Sequence, residues 1–147
     1  MRIADIMTKD VQTVRPDTDL VTVAKYMKDL DVGVIPVAEG DQLVGLITDR
    51  DIVIRAIASG AQLQQARVRE HMTPNPTCVS SDDDVTRAAE IMAREQIRRL
   101  PVVDGGKLVG IISIGDVAVD TNKDKLIGQA LEQISEPAKP RSSEVGR

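Results

Sequence analysis

The sequence predicts an α/β fold of the α+β type, made of two β-α-β-β-α units packed sheet to sheet with pseudo-twofold symmetry. Three observations carry this expectation. The chain of 147 residues repeats itself at an offset of 65 positions. Each copy sets short apolar runs around one stretch of helical periodicity. A unit of this size is too small to bury a core alone, so two must share one.

The repeat needs no gap. Met7-Thr8 falls on Met72-Thr73, Asp19 on Asp84, Met27 on Met92 and Pro36-Val37 on Pro101-Val102. Leu43-Val44-Gly45 falls on Leu108-Val109-Gly110, and Asp51 on Asp116. Residues 1–60 form the first copy and 66–121 the second. Self-similarity at a fixed period marks stacked structural units.

Each copy opens with a turn, Ile3–Met7 and its counterpart from Val68, ending in Met-Thr. A short strand is expected near Val11–Val14 and again at Thr77–Val79. "RPDTDL" and "SSDDDV" then offer polar N-caps for a helix. The first helix carries Leu20, Val23, Ala24, Met27 and Leu30 on one face; its counterpart carries Val85, Ala88, Ala89 and Met92. Strands follow at Val34–Val37 and Leu43–Ile47, joined by a turn containing Gly40. The second copy places them at Arg99–Val103 and Lys107–Ile112. These runs are nearly all apolar, which predicts that both sheet faces are covered. A second helix begins at Thr48 or Ser113. Residues 122–135 read as one more amphipathic helix, with Leu126, Ile127, Ala130, Leu131 and Ile134 on one side. Residues 136–147 have the composition of a loose tail.

Composition narrows the function. Tyr26 is the only aromatic residue, so the core is aliphatic and base stacking on aromatic platforms is disfavoured. A net charge of −4 gives no global field for nucleic acid or an anionic membrane. Cys78 is the only cysteine and His71 the only histidine, which excludes an intrachain disulfide, a thiolate cluster and a paired-histidine zinc site. Cys78 reads as a buried strand residue rather than a nucleophile beside a histidine base. No metal and no required cofactor are expected. The N-terminus lacks an apolar leader core and no run reaches membrane-spanning length, so a cytoplasmic location is expected.

The strand-to-helix junctions carry the chemistry. Thr48 precedes Asp51 by three positions, and Ser113 precedes Asp116 by three. One reading is a helix cap, with the hydroxyl at the N-cap and the carboxylate near the positive end of the helix dipole. The other adds a ligand: unpaired backbone N–H groups and a hydroxyl suit a phosphate, and a carboxylate one turn inward suits a ribose diol. Arg50 lies inside the first junction, either as a phosphate contact or as a solvated surface residue.

The Met-Thr openings, "VGVIPV" with "RRLPVVD", and "LVGLITDRDI" with "LVGIISIGDV" resemble a tandem pair of cystathionine β-synthase (CBS) domains, a Bateman module. The resemblance covers roughly residues 1–121. It implies a regulatory module that binds an adenine nucleotide, AMP, ADP or ATP, between the repeats, without catalysis. By position, one cleft would join Thr48, Arg50 and Asp51 to Thr77, Ile97 and Arg98. The other would join Ser113 and Asp116 to Gln12, Val32 and Gly33. Asp51 and Asp116 would hold ribose, Thr48 and Ser113 would meet phosphate, and the apolar strand residues would sandwich adenine. Arg98 and Arg99 fall where the AMP-activated kinase γ subunit has a basic phosphate-facing pair, whereas the first repeat has Gly33 and Val34. A solvated strand edge is the other reading of the two arginines. The resemblance also implies a homodimer formed through the helices, and an unidentified regulated protein. The competing reading is a ligand-independent dimerisation module.

Overall fold

The computed structural model describes residues 1–121 and 124–135; the expected tail at 136–147 lies outside the described residues. Helix α1 spans Leu20–Leu30, followed by strands β1 (Val34–Glu39) and β2 (Gln42–Thr48) and a π-helix at Asp51–Ile57. The second copy has β3 (Thr73–Pro74), α2 (Val85–Glu95), β4 (Arg99–Asp104), β5 (Lys107–Ser113) and α3 (Ile114–Thr121), and α4 (Asp124–Ser135) follows. The architecture is α+β with two like halves.

The halves fold alike because the same residues do the same work in each. Helix α1 starts where Asp19 accepts the Thr22 N–H at 3.0 Å, and α2 where Asp84 accepts the Thr86 N–H at 2.8 Å. Both end on a left-handed residue, Asp31 with φ 54° and Gln96 with φ 56°. Strands β1 and β2 pair antiparallel with Val34 opposite Thr48, and β4 and β5 with Arg99 opposite Ser113. Each hairpin shifts register just after its Pro-Val pair, at Val37/Ala38 and Val102/Val103.

The hairpins join into one sheet of order β1-β2-β5-β4, meeting where Gln42 pairs with Lys107. The free edge of each inner strand takes the opening of the other repeat. Thr73 and Pro74 pair with Leu46 and Gly45 of β2. Thr8 exchanges two backbone hydrogen bonds with Ile111 of β5, at 2.8 and 3.0 Å. The apolar residues follow: Ile3 is fully buried among Val79, Val85, Leu100 and Ile112 of the second repeat. Val68 is buried among Val14, Leu20, Ile35 and Ile47 of the first. The glycines of the two inner strands permit the exchange. A Cβ on Gly45 would lie 2.9 Å from the Thr73 carbonyl oxygen, and one on Gly110 would lie 2.7 Å from that of Thr8.

Three expectations need correction. The strand near Val11–Val14 reduces to a single parallel bridge from Val14 to Val37, and that at Thr77–Val79 to one from Val79 to Val102. Each bridge lies beside a register shift of its hairpin. On α1, Ala24 is exposed and Leu30 is half exposed, while Leu20, Val23 and Met27 are buried. On α2 the apolar face is wider, and Ala88, Ala89 and Ile91 are all buried. Helix α4 makes this difference by packing against α2. Its Ile134 joins the second core, whereas Leu131, expected on the same face, is 42 % exposed.

Candidate functional site

The two junctions have the same local geometry. Thr48 Oγ1 accepts the Asp51 N–H at 3.0 Å, and Asp51 Oδ2 accepts the Thr48 N–H at 3.0 Å. Ser113 Oγ accepts the Asp116 N–H at 3.1 Å, and Asp116 Oδ2 accepts the Ser113 N–H at 2.9 Å. Each is a reciprocal cap that satisfies two backbone donors at the turn from strand to helix. The capping reading is therefore correct at both places.

A cleft of about 820 Å³ opens at the first junction, within the range of small-molecule sites. The end of β2 brings Leu46 and Thr48 to it, and the following turn brings Asp49, Arg50, Ile54 and Arg55. The second repeat brings Thr77, Ile97, Arg98 and Arg99. Six of the expected site residues thus meet on one cavity: Thr48, Arg50, Thr77, Ile97, Arg98 and Arg99. Gly33, expected with Ser113, lines this cleft beside Val34. Its place follows from the sheet, since the Asp49 N–H donates to the Gly33 carbonyl at 2.9 Å.

The other expected residues lie elsewhere. Asp51 is not on the wall: it is 7 % exposed, capped by Thr48 and paired through Oδ1 with Arg55 Nε at 3.4 Å. Ser113 and Asp116 are half-buried and cap one another. Val32 packs against the first core. Gln12 is exposed and donates through its side-chain amide to the Thr13 carbonyl at 2.7 Å.

Charge defines the cleft. Arg50, Arg55, Arg98 and Arg99 line it against one lining carboxylate, Asp49. Such a wall favours an anion, and guanidinium groups match phosphate oxygens in pairs. Apolar atoms of Ile54, Ile97, Ile111 and Pro101 supply the flat surfaces that a ring would need.

Several residues at the site were missed from sequence alone, and three of them make specific side-chain contacts. Arg55 is the first; its signal was present, since the equivalent position at offset 65 holds Asp120. Gln96 lines the cleft and its amide donates to the Gln133 carbonyl of α4 at 3.1 Å. Glu95 accepts from the Thr77 hydroxyl at 3.1 Å. Nothing in the sequence marks the last two, because their roles depend on how α2 ends.

Cys78 is half-buried, its thiol faces the Pro76 carbonyl at 3.1 Å, and burial pushes its pKa up. That is opposite to what an activated thiolate requires. Among the described residues, no three His, Cys, Asp or Glu side chains are grouped to hold a metal ion. No helix among them is long and apolar enough to cross a membrane.

The comparisons with known proteins agree on one family. The CBS domain family matches residues 3–57 and 68–123. The CBS domain-containing protein YhcV of Bacillus subtilis is 41 % identical over 133 residues, covering 90 % of this chain and 94 % of YhcV. The crystal structure of CBSX2 in complex with AMP superposes with a TM-score of 0.73 at 28 % identity, covering 84 % of this chain and 98 % of that one. The CBS domain pair of MJ0100, in complex with 5-methylthioadenosine and S-adenosyl-L-methionine, gives 0.71 at 28 %, covering 80 % and 97 %. With two repeats matched in register and the junctions built alike, the chain belongs to the CBS domain family as a tandem pair.

Proposed function

We propose that the chain is a non-catalytic regulatory module that binds an adenine nucleotide, AMP, ADP or ATP, in the Thr48 cleft. The single observation that carries this reading is the four arginines, two from each repeat, that line one cavity. Relatives of the same fold hold AMP or S-adenosyl compounds, which have adenosine in common. In this reading Arg50, Arg98 and Arg99 contact phosphate with the Thr48 hydroxyl. Ile97 and Gly33 flank adenine beside Thr77. Asp51, behind the wall, accepts from ribose. The Ser113–Asp116 junction, with Gln12 and Val32, takes a nucleoside or stays empty. The protein acts in the cytoplasm on a regulated partner.

The test is ligand-dependent melting followed by titration with AMP, ADP, ATP and S-adenosylmethionine. A ligand that binds only the folded chain at about 100 times its Kd adds about 2.7 kcal/mol of stability. A melting temperature unmoved by millimolar amounts of all four would remove the reading. No turnover of the bound nucleotide is expected, since no histidine and no pair of carboxylates lines the cleft.

A second reading has its own observation. Helix α1 and the π-helix leave Tyr26, Leu30, Val53 and Ile57 exposed. In the second repeat, α4 covers the corresponding helix. We read the uncovered face as the homodimer contact. Leu30→Glu should then turn a dimer into a monomer in sedimentation at micromolar protein; a parent that sediments as a monomer contradicts this.

A further inference from the structure

Arg55 occupies a position with four peculiarities. It lies on the wall of the Thr48 cleft. Its Nε pairs with Asp51 Oδ1 at 3.4 Å, on a carboxylate that is otherwise buried. It also stands on a π-helix, Asp51–Ile57, where the second repeat has the ordinary α-helix Ile114–Thr121. π-turns are rare and recur at functional sites. The equivalent position of the second repeat holds Asp120, of opposite charge.

As a stability device the pair is weak. Arg55 keeps 56 % of its side-chain exposure, and ion pairs with one exposed partner contribute little. The geometry has a better use. A guanidinium carries five N–H donors in a rigid fork. The Asp51 contact uses Nε, and the two terminal nitrogens hold most of the donors. They form the edge that meets phosphate oxygens in a bidentate way.

We propose that Arg55 is a specificity-determining residue of the Thr48 cleft, anchored by Asp51 through Nε and contacting the ligand's phosphates through its terminal nitrogens. It links the ribose acceptor to the phosphate group in a single side chain. Phosphate-bearing ligands are thereby selected over the bare nucleoside, and a longer phosphate chain gains more than a monophosphate. The selection is confined to this cleft, because the second repeat has a carboxylate residue at the equivalent position. This inference rests on the nucleotide reading above.

The experiment is calorimetric titration of the parent, Arg55→Gln and Arg55→Lys with adenosine, AMP and ATP, each at about 50 and about 200 mM salt. The parent should bind ATP at least as tightly as AMP, and both more tightly than adenosine. Arg55→Gln should weaken AMP about tenfold and ATP by more, the scale of a lost charge-assisted contact. It should change adenosine by far less, and it should flatten the salt dependence for ATP, because one cation–phosphate contact is lost. Arg55→Lys keeps the charge without the fork, so it should fall between the two. An equal loss for all three ligands would overturn the inference, because Arg55 would then act only by holding Asp51. Unchanged affinities in both variants would overturn it as well. If Arg55→Gln does not fold, the ratio of ATP to adenosine affinity in Arg55→Lys decides, and a ratio equal to the parent's rejects the inference. A parent that binds none of the three ligands rejects the nucleotide reading itself.

Discussion

The Thr48 and Ser113 junctions are nearly superimposable in their hydrogen bonds and unlike in their charge. Both close a strand with a hydroxyl that caps a helix, and both hold a carboxylate against the same backbone N–H. Around the first stand Arg50, Arg55, Arg98 and Arg99. The equivalent positions at offset 65 hold Gly115, Asp120, Gly33 and Val34. The shared part is therefore scaffold, and in the proposed function the unshared part sets ligand selectivity. A motif that looks like a binding signature can be mostly a cap, with the ligand read by residues outside it.

The largest expected effect breaks the likeness of the two halves at its root. Ile3 belongs in sequence to the first repeat and in packing to the core of the second. Ile3→Ala should lower the unfolding free energy by about 2–5 kcal/mol. Hydrogen exchange should rise in β4 and β5 before β1 and β2. The reverse order would mean that the openings are not exchanged in solution.

Next come the arginines. Arg98→Ala should weaken AMP about tenfold or more, by the roughly 1.5–3 kcal/mol of a charged hydrogen bond, and spare adenosine. Asp116→Ala should leave AMP affinity within about twofold, because Asp116 does not line the Thr48 cleft. Asp51→Ala should weaken adenosine by about tenfold if the carboxylate accepts from ribose, and AMP by more, because Arg55 loses its anchor. Calorimetry on the three variants gives the ordering.

Smaller and more equal effects are expected of the caps. Thr48→Ala and Ser113→Ala should each cost about 1 kcal/mol in denaturant unfolding, since each removes one capping acceptor. A cost confined to Thr48 would mean that the second junction contributes no capping.

The smallest effect is on acid stability. Hydrogen bonds from Thr22 hold Asp19 below its ordinary value, those from Thr86 hold Asp84 at about 2, and those from Ser81 and Ser80 hold Asp104 down. A carboxylate whose pKa is lower in the folded chain stabilises it at pH values above the unfolded pKa. That stability is lost as protons bind. Unfolding free energy should therefore be flat with respect to these groups above about pH 5 and fall between about pH 4 and pH 2. Melting curves across that window would show it; a fall beginning near neutral pH would point to other groups.

Much of this was legible from the residues. The gapless offset placed both hairpins: the strands expected at Val34–Val37 and Leu43–Ile47 extend to Glu39 and Thr48. Apolar runs and turn glycines are local signals, and local signals survive in a single sequence. The exchange of Ile3 and Val68 was not legible, because a repeat says which segments are equivalent and not which partner each one packs against. The exposure of Ala24 and Leu30 was equally hidden, since α1 has a helix-period stripe but no cover among the described residues to match α4. At the site, the resemblance groups Thr48 with Arg98, and both line one cavity. Arg55 was passed over because an i, i+4 arginine on a helix reads as surface until the cavity beside it is seen.

The central claim is that only the Thr48 cleft carries the charge to hold a phosphate-bearing ligand. The stoichiometry of AMP binding tests it most directly. Titration of a known concentration of folded chain should give one AMP per chain, with that event weakened by Arg98→Ala and preserved in Asp116→Ala. Two equivalent sites per chain, or loss of binding in Asp116→Ala alone, would contradict it.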